Sequence, residues 1–270
     1  MSDISFLNEI AKHSSLQRSL TFNKPYSFKG IDFTPVKIDR LIEFDTCIEV
    51  LKIKQEHTRD KTLMKLPYLW FLAYASENYE KYDKPEYGMF IPLLFGLLEL
   101  TTNQTDIKIM TERKTNGEYA KCILLINEVE FSSNDFKEIR KIILEQNGVE
   151  YDDQFIHEST LEAINQGKIH DMKQSGYISP TVDDLVNKFC IYMKKSKEEV
   201  VRDFTIRDFN KFLVEISAFE EYKLLKGGEV SGMVKFKNPI PHWYTGHEKY
   251  DWSGIIKVQC QNTQKGYRIF

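Results

Sequence analysis

The segment PHWYTGHEKYDW, Pro241 to Trp252, gathers two histidines, two tryptophans, two tyrosines and two acids into a dozen positions. Imidazole and carboxylate are common zinc ligands, so His242, His247 and Asp251 are the first residues to test for a metal site. Their spacing opposes it. The five-residue step from His242 to His247 turns the rings to different faces of a helix, and as an odd step it sends them to opposite sides of a strand. Only a loop brings them together. Asp152 and Asp153, with His157 four residues further on, have the residue types of a hydrolytic or metal site. Two adjacent carboxylates and one histidine fix no geometry, however, and a solvated connector is the favoured account of them. Cys190 and His170 have the types of a nucleophile and its base. Cys190 stands beside Phe189 and Ile191 on the apolar side of a helical stretch, which reads as packing. No GxxxxGK[ST] loop and no GxGxxG turn offers a phosphate cradle. The expectation is a chain with no catalytic residues, no metal and no cofactor; a small hydrolase using His157 or His242 is the enzyme alternative.

Trp243, Tyr244, Tyr250 and Trp252 fit another role. They are large amphipathic groups that bury much area at small entropic cost, and Pro239 and Pro241 stiffen the approach to them. Two readings stand side by side: the rings close the protein's own core, or they anchor a partner protein. The exposure of the tryptophans separates the two.

Composition narrows the classes. The chain has 270 residues, 41% of them hydrophobic, enough for one large domain or two of ordinary size. Thirty-seven basic residues against 40 acidic ones give a formal charge of -3, so no global field draws the protein to nucleic acid or an acidic membrane. The lysines at 52–54, 194–197 and 223–226 are interleaved with acids, as on a hydrated face. Cys47, Cys122, Cys190 and Cys260 lie far apart without metal spacing, which predicts buried, reduced thiols and a reducing compartment. MSDISFLNEIAKHSS predicts a short amphipathic helix capped by Ser2, with Phe6, Leu7 and Ile10 on one face, rather than a secretory signal. The apolar run Met89–Leu98 is too short to span a membrane and predicts a buried helix.

The elements that must position these groups follow from periodicity. Tyr26–Ile38 alternates about Lys29-Gly30, as a tight hairpin does. Asp39 is the expected cap of a helix with Leu41, Ile42, Phe44, Ile48 and Leu51 on its apolar face. Apolar residues recur at helical spacing from Asp60 to Glu80, with Pro67 kinking or restarting the helix. From Thr105 the period changes to alternation, which predicts a hairpin or three-stranded meander with a bend near Asn127. Ser132 or Ser133 then caps a helix that ends at Asn147-Gly148, completing a β-β-α unit. Thr181, Ser196 and Thr205, each three residues ahead of an acid, open three more helices. The third has Ile206, Phe209, Phe212, Leu213, Ile216 and Phe219 as its stripe, and Gly227-Gly228 is its expected stop. The predicted class is α+β, with helices around the central β-β-α unit, a helical C-terminal part and a strand-rich tail. The predicted organisation is an α+β domain over 1–150, a connector over 151–180, a small helical domain over 181–230, and an aromatic segment with tail over 231–270.

Three segments, EFSSNDFKEIRKIILEQNGVEYDD, FTIRDFNKFLVEI and SGMVKFKNPIPHW, resemble proteins that tailed phages and prophages of Gram-positive bacteria encode among their tail and baseplate genes. FTPVKIDRLIEFDTCIEVLKI followed by KLPYLWFL has the same look, so the resemblance runs from about residue 30 to 245. It implies a non-enzymatic virion morphogenesis protein, assembled in the host cytoplasm. The protein is then either a structural component of the tail or baseplate, or a tail assembly chaperone absent from the finished particle. The implied partners are other tail proteins or further copies of the chain, with no nucleic acid and no membrane. The resemblance carries no catalytic residues, and YTGHEKYDW and the closing SGIIKVQCQNTQKGYRIF lie beyond it.

Overall fold

The computed structural model describes residues 14–58, 60–113, 119–151, 166, 180–232, 234–236, 240, 242–243 and 255–257. The fold is α+β, helices with small antiparallel sheets. It divides into two compact units, Met1–Phe209 and Asn210–Phe270. Among the described residues no helix is long and apolar enough to cross a membrane.

The first unit opens with helix α1 (residues 14–22), which buries Leu16 and Leu20. Strands β1 (Tyr26–Phe28) and β2 (Ile31–Phe33) form the expected hairpin. Lys29 and Gly30 both take positive φ, 53° and 83°, the turn whose twist matches that of the strands. Helix α2 (Leu41–Ile48) follows a 3-10 turn, Ile38–Arg40. Asp39 lies inside that turn and does not cap α2: Arg40 occupies the cap position and no side chain bonds the helix end. Leu41, Phe44 and Ile48 are buried as the period requires, whereas Ile42 points outward at 71% exposure.

Pro67 does restart the next helix. Helix α3 (Lys61–Lys65), capped by Asp60, ends at Leu66 in extended backbone, the conformation a following proline imposes, and α4 (Tyr68–Glu77) begins behind Pro67. Helix α5 (Phe90–Thr102) tolerates Pro92 because it falls in the first turn, where no intrahelical partner is lost. Gly96 lets α5 approach α2 closely, since an added Cβ would lie 3.2 Å from the Cys47 Sγ.

Strands β3 (Ile107–Arg113), β4 (Tyr119–Ile126) and β5 (Val129–Phe131) form an antiparallel meander in the order β3-β4-β5. Its second turn is Asn127-Glu128, both at positive φ, 48° and 65°. Helix α6 (Ser133–Gln146) carries a capping box on Ser132: the Ser132 hydroxyl accepts from the Asp135 amide at 3.3 Å, and Asp135 accepts from the Ser132 amide at 2.8 Å. It ends through Gly148 at φ +64°, with the Val149 amide on the Leu144 carbonyl at 2.9 Å. The β-β-α unit is therefore present, as a three-stranded version. Phe71, Leu94, Leu124, Phe131, Phe136 and Ile143 are fully buried where α4, α5 and α6 meet the sheet. Burial of each such side chain contributes about 1.5–3 kcal/mol.

Helices α7 (Val182–Met193), α8 (Lys197–Asp203) and α9 (Ile206–Val230) begin at Thr181, Ser196 and Thr205 as expected. The residues up to Phe209 belong to the first unit, where the sequence alone placed a separate helical domain from 181. The tie is an antiparallel bridge between Lys37 and Thr205. The Ile206 amide donates to the Val36 carbonyl at 2.9 Å, and the Ile38 amide to the Phe204 carbonyl at 3.2 Å. The Phe189 ring packs edge-on to Phe204 and Phe209, at 5.1 and 5.4 Å.

In the second unit, α9 runs through Gly227 and Gly228 to Val230, so the glycine pair is not its stop. Two glycines cost about 1 kcal/mol each in a helix interior, which the packed length of helix before them offsets. Termination falls instead at Gly232, at φ +71°. Strands β6 (Val234–Phe236) and β7 (Ile255–Lys257) pair antiparallel, the strand character expected of the tail. The predicted connector, apart from its end residues and residue 166, lies outside the described residues, as do Ser2, Phe6, Leu7 and Ile10.

Candidate interaction surfaces

The second unit holds the part of the aromatic segment that is described. Trp243 is half-buried, its ring packed edge-on to Phe219 of α9 with centroids 5.3 Å apart. His242 lies against Tyr222 at 4.8 Å, and the Lys223 ammonium sits over the Phe219 ring at 4.4 Å. One side of the Trp243 ring therefore closes on its own helix, and a fraction of it stays accessible. Tyr244, Tyr250 and Trp252 lie outside the described residues, as do His247, Asp251, Asp152, Asp153, His157, His170 and Cys260. Among the described residues no three histidine, cysteine or acidic side chains gather within ligand range.

The apolar stripe of α9 is covered only in part. Ile206, Phe209 and Ile216 are buried, Leu213 and Phe219 half-buried, Phe212 39% exposed, and Leu224 further along 78% exposed. Val214 and Val230 are also exposed. Periodicity shows which residues share a side of the helix; it does not show how far along the helix other elements reach to cover them.

In the first unit, a cleft of about 890 Å³ lies between the Leu66-Pro67 break and α6. Lys65, Lys137, Arg140 and Lys141 line it, against Glu138 and Glu145. The Arg140 guanidinium is clamped between the rings of Tyr68 and Tyr151, at 4.3 and 4.2 Å, and its Nε donates to the Leu51 carbonyl at 2.8 Å. Sequence reasoning gave no signal for this cluster, because its members come from four separate segments. A flat cation between two π faces is a packing device, and it holds α6 to the end of the α2 region.

The thiols differ from expectation in degree. Cys122 is buried, and burial, with Glu77 nearby, pushes its thiol up to about 12. Cys47 and Cys190 are half-buried rather than buried. Burial also raises the Cys47 thiol, with a contribution from Glu43. A thiol shifted upward stays protonated at neutral pH and is a poor nucleophile.

The described parts thus define an α+β protein whose distinctive surface features are partly covered aromatic and aliphatic side chains on one long helix. No protein family matches the sequence, and no curated protein or solved structure is significantly similar to it.

Proposed function

We propose that this chain is a non-enzymatic morphogenesis protein of a tailed bacteriophage or prophage, a tail or baseplate component that acts through protein–protein interfaces. The observation that carries the interface part is the stretch of α9 beyond Phe209, where Phe212 and Leu224 stay accessible on the same helix whose Phe219 pairs with Trp243. Aromatic and aliphatic groups half-covered by their own fold are the groups that a partner finishes burying. The phage part rests on the resemblance of five sequence segments. In the first unit, parts of these segments pack against one another. Tyr68 stacks on Phe136 at 6.4 Å, Arg140 bonds Leu51, and the bridge from Lys37, in the segment that holds Leu51, to Thr205 joins one more. Many copies acting together make each interface effective without high pairwise affinity.

Mass spectrometry of particles purified from the encoding host is the test. The chain at a fixed copy number per particle is the expected result. Its absence from particles, with recovery bound to unassembled tail protein, replaces the structural role with the chaperone role. Absence from both refutes the proposal.

A further inference from the structure

Strand β3 is the longer of the two edge strands of the three-stranded sheet, β5 being the other. Among the described residues the one neighbour of β3 is β4, and no backbone hydrogen bond from a described loop or turn reaches Lys108–Glu112. A bare row of N–H and C=O groups is a template for another strand. Beside β3 lies a groove of about 550 Å³, lined by Ala73, Ile91, Pro92 and Phe95 together with Ile107 and Ile109. The described helices therefore leave open space beside the inward side chains of β3. Along the strand, Ile107, Ile109 and Thr111 face inward, while Lys108, Met110 and Glu112 face outward, with Met110 49% exposed.

The outward residues are self-complementary. Lys108 and Glu112 stand two positions before and two positions after Met110, with opposite charges. If two copies of β3 pair antiparallel about Met110, each Lys108 lies opposite Glu112 of the second copy, and the two methionines meet between the charge pairs. Other arrangements lose this. A shift of two residues one way sets Glu112 against Asp106, and the other way sets Lys108 against position 114, another lysine. A shift of one residue turns the apolar face outward. Parallel in-register pairing puts like charges side by side. Lys108 already holds Asp106 at 2.6 Å, but both groups are exposed and an ammonium has three donors, so this pair does not prevent a second. Glu112 has no ion pair among the described residues.

We propose that β3 is a self-pairing edge through which two copies of this chain join their three-stranded sheets into one continuous antiparallel sheet, centred on Met110. This rests on the strand itself and not on the phage reading. One short strand pair buries less than the roughly 1,200 Å² of a stable interface, so the association is weak and concentration-dependent.

Sedimentation of the full chain over a concentration series tests it, with hydrogen exchange of the β3 amides followed in parallel. The expected result is a monomer–dimer equilibrium in which β3 amides gain protection as concentration rises. Lys108→Glu and Glu112→Lys each place like charges at both symmetry-related positions and weaken dimerisation on the order of tenfold or more. The double variant Lys108→Glu/Glu112→Lys exchanges the two charges and restores it. All the changed side chains are exposed, and circular dichroism checks that each variant is folded. A chain that stays monomeric up to about 1 mM overturns the proposal. So does a dimer to which the single charge reversals make no difference, or one that the double variant fails to restore.

Discussion

Asn147→Ala is the substitution that most directly tests how the first unit is tied together. Asn147 is fully buried at the C-terminal end of α6. Its Oδ1 accepts the Val36 amide at 2.8 Å, and its Nδ2 donates to the Ile143 carbonyl at 2.9 Å. Val36 is itself buried, and its carbonyl accepts the Ile206 amide, so one side chain links α6 to the segment that holds the start of α9. Alanine leaves the Val36 N–H without a partner where water does not reach. That costs about 1–3 kcal/mol, and loss of the bond to Ile143 brings the total to about 2–4 kcal/mol. Urea denaturation followed by circular dichroism reads the loss directly.

Asn147→Asp separates the two bonds. A carboxylate still accepts from Val36, but its second oxygen faces the Ile143 carbonyl where the amide donated. Burial and that carbonyl raise the folded-state pKa of the new carboxyl above its unfolded value of about 4. A raised acid favours the folded state when protonated, so this variant is most stable at low pH and loses stability as pH rises from the unfolded toward the folded value. Asn147→Ala within about 0.5 kcal/mol of wild type, below the cost of an unpaired buried donor, refutes the reasoning. So does an Asn147→Asp variant whose difference from Asn147→Ala does not change with pH.

Two further outcomes follow from the helix ends. Gly148→Ala forces a side chain into the left-handed region at φ +64°, with its Cβ 3.1 Å from the Arg207 Cγ; a loss of roughly 1–2 kcal/mol is expected in the same urea assay. The Thr181 hydroxyl and amide hold the Asp184 carboxyl below the usual carboxylate range, and the Ser196 amide and hydroxyl do the same for Glu199. Lowered acids contribute stability that is present above the unfolded pKa and lost as pH falls through the folded pKa. Hydrogen exchange in the first turns of α7 and α8 should therefore speed up, relative to its intrinsic rate, across that acidic window; Ser196→Ala, which keeps the Ser196 amide bond to Glu199, should weaken the effect at α8 alone, and Glu199→Gln should remove it there.

Most of the local structure was legible in the sequence because it depends on neighbours a few positions apart. Ser132, Thr181, Ser196 and Thr205 bond amides three residues on, Lys29-Gly30 supplies its own turn, and Pro67 restricts the residue before it. The misreadings arose where two local signals compete or where burial decides. Asp39 had cap chemistry, but the chain had already entered a 3-10 turn at Ile38. Gly227-Gly228 had the composition of a stop without a left-handed residue or a 6→1 hydrogen bond to enforce one. Ile42 matched an apolar period and stays 71% exposed.

What the sequence alone determined was therefore the class, the order of the elements and their capped ends, all set by interactions within one turn or one hairpin. Only the tertiary structure decided that Asn147 bonds Val36, that Thr205 bridges Lys37, that Arg140 is clamped between Tyr68 and Tyr151, and that β3 keeps an open edge. Each of these joins residues distant along the chain, except the last, which depends on no other described element reaching the strand. Residue type and spacing cannot encode such contacts directly, because which distant groups meet is fixed by how the whole set of helices and strands packs to bury its apolar faces.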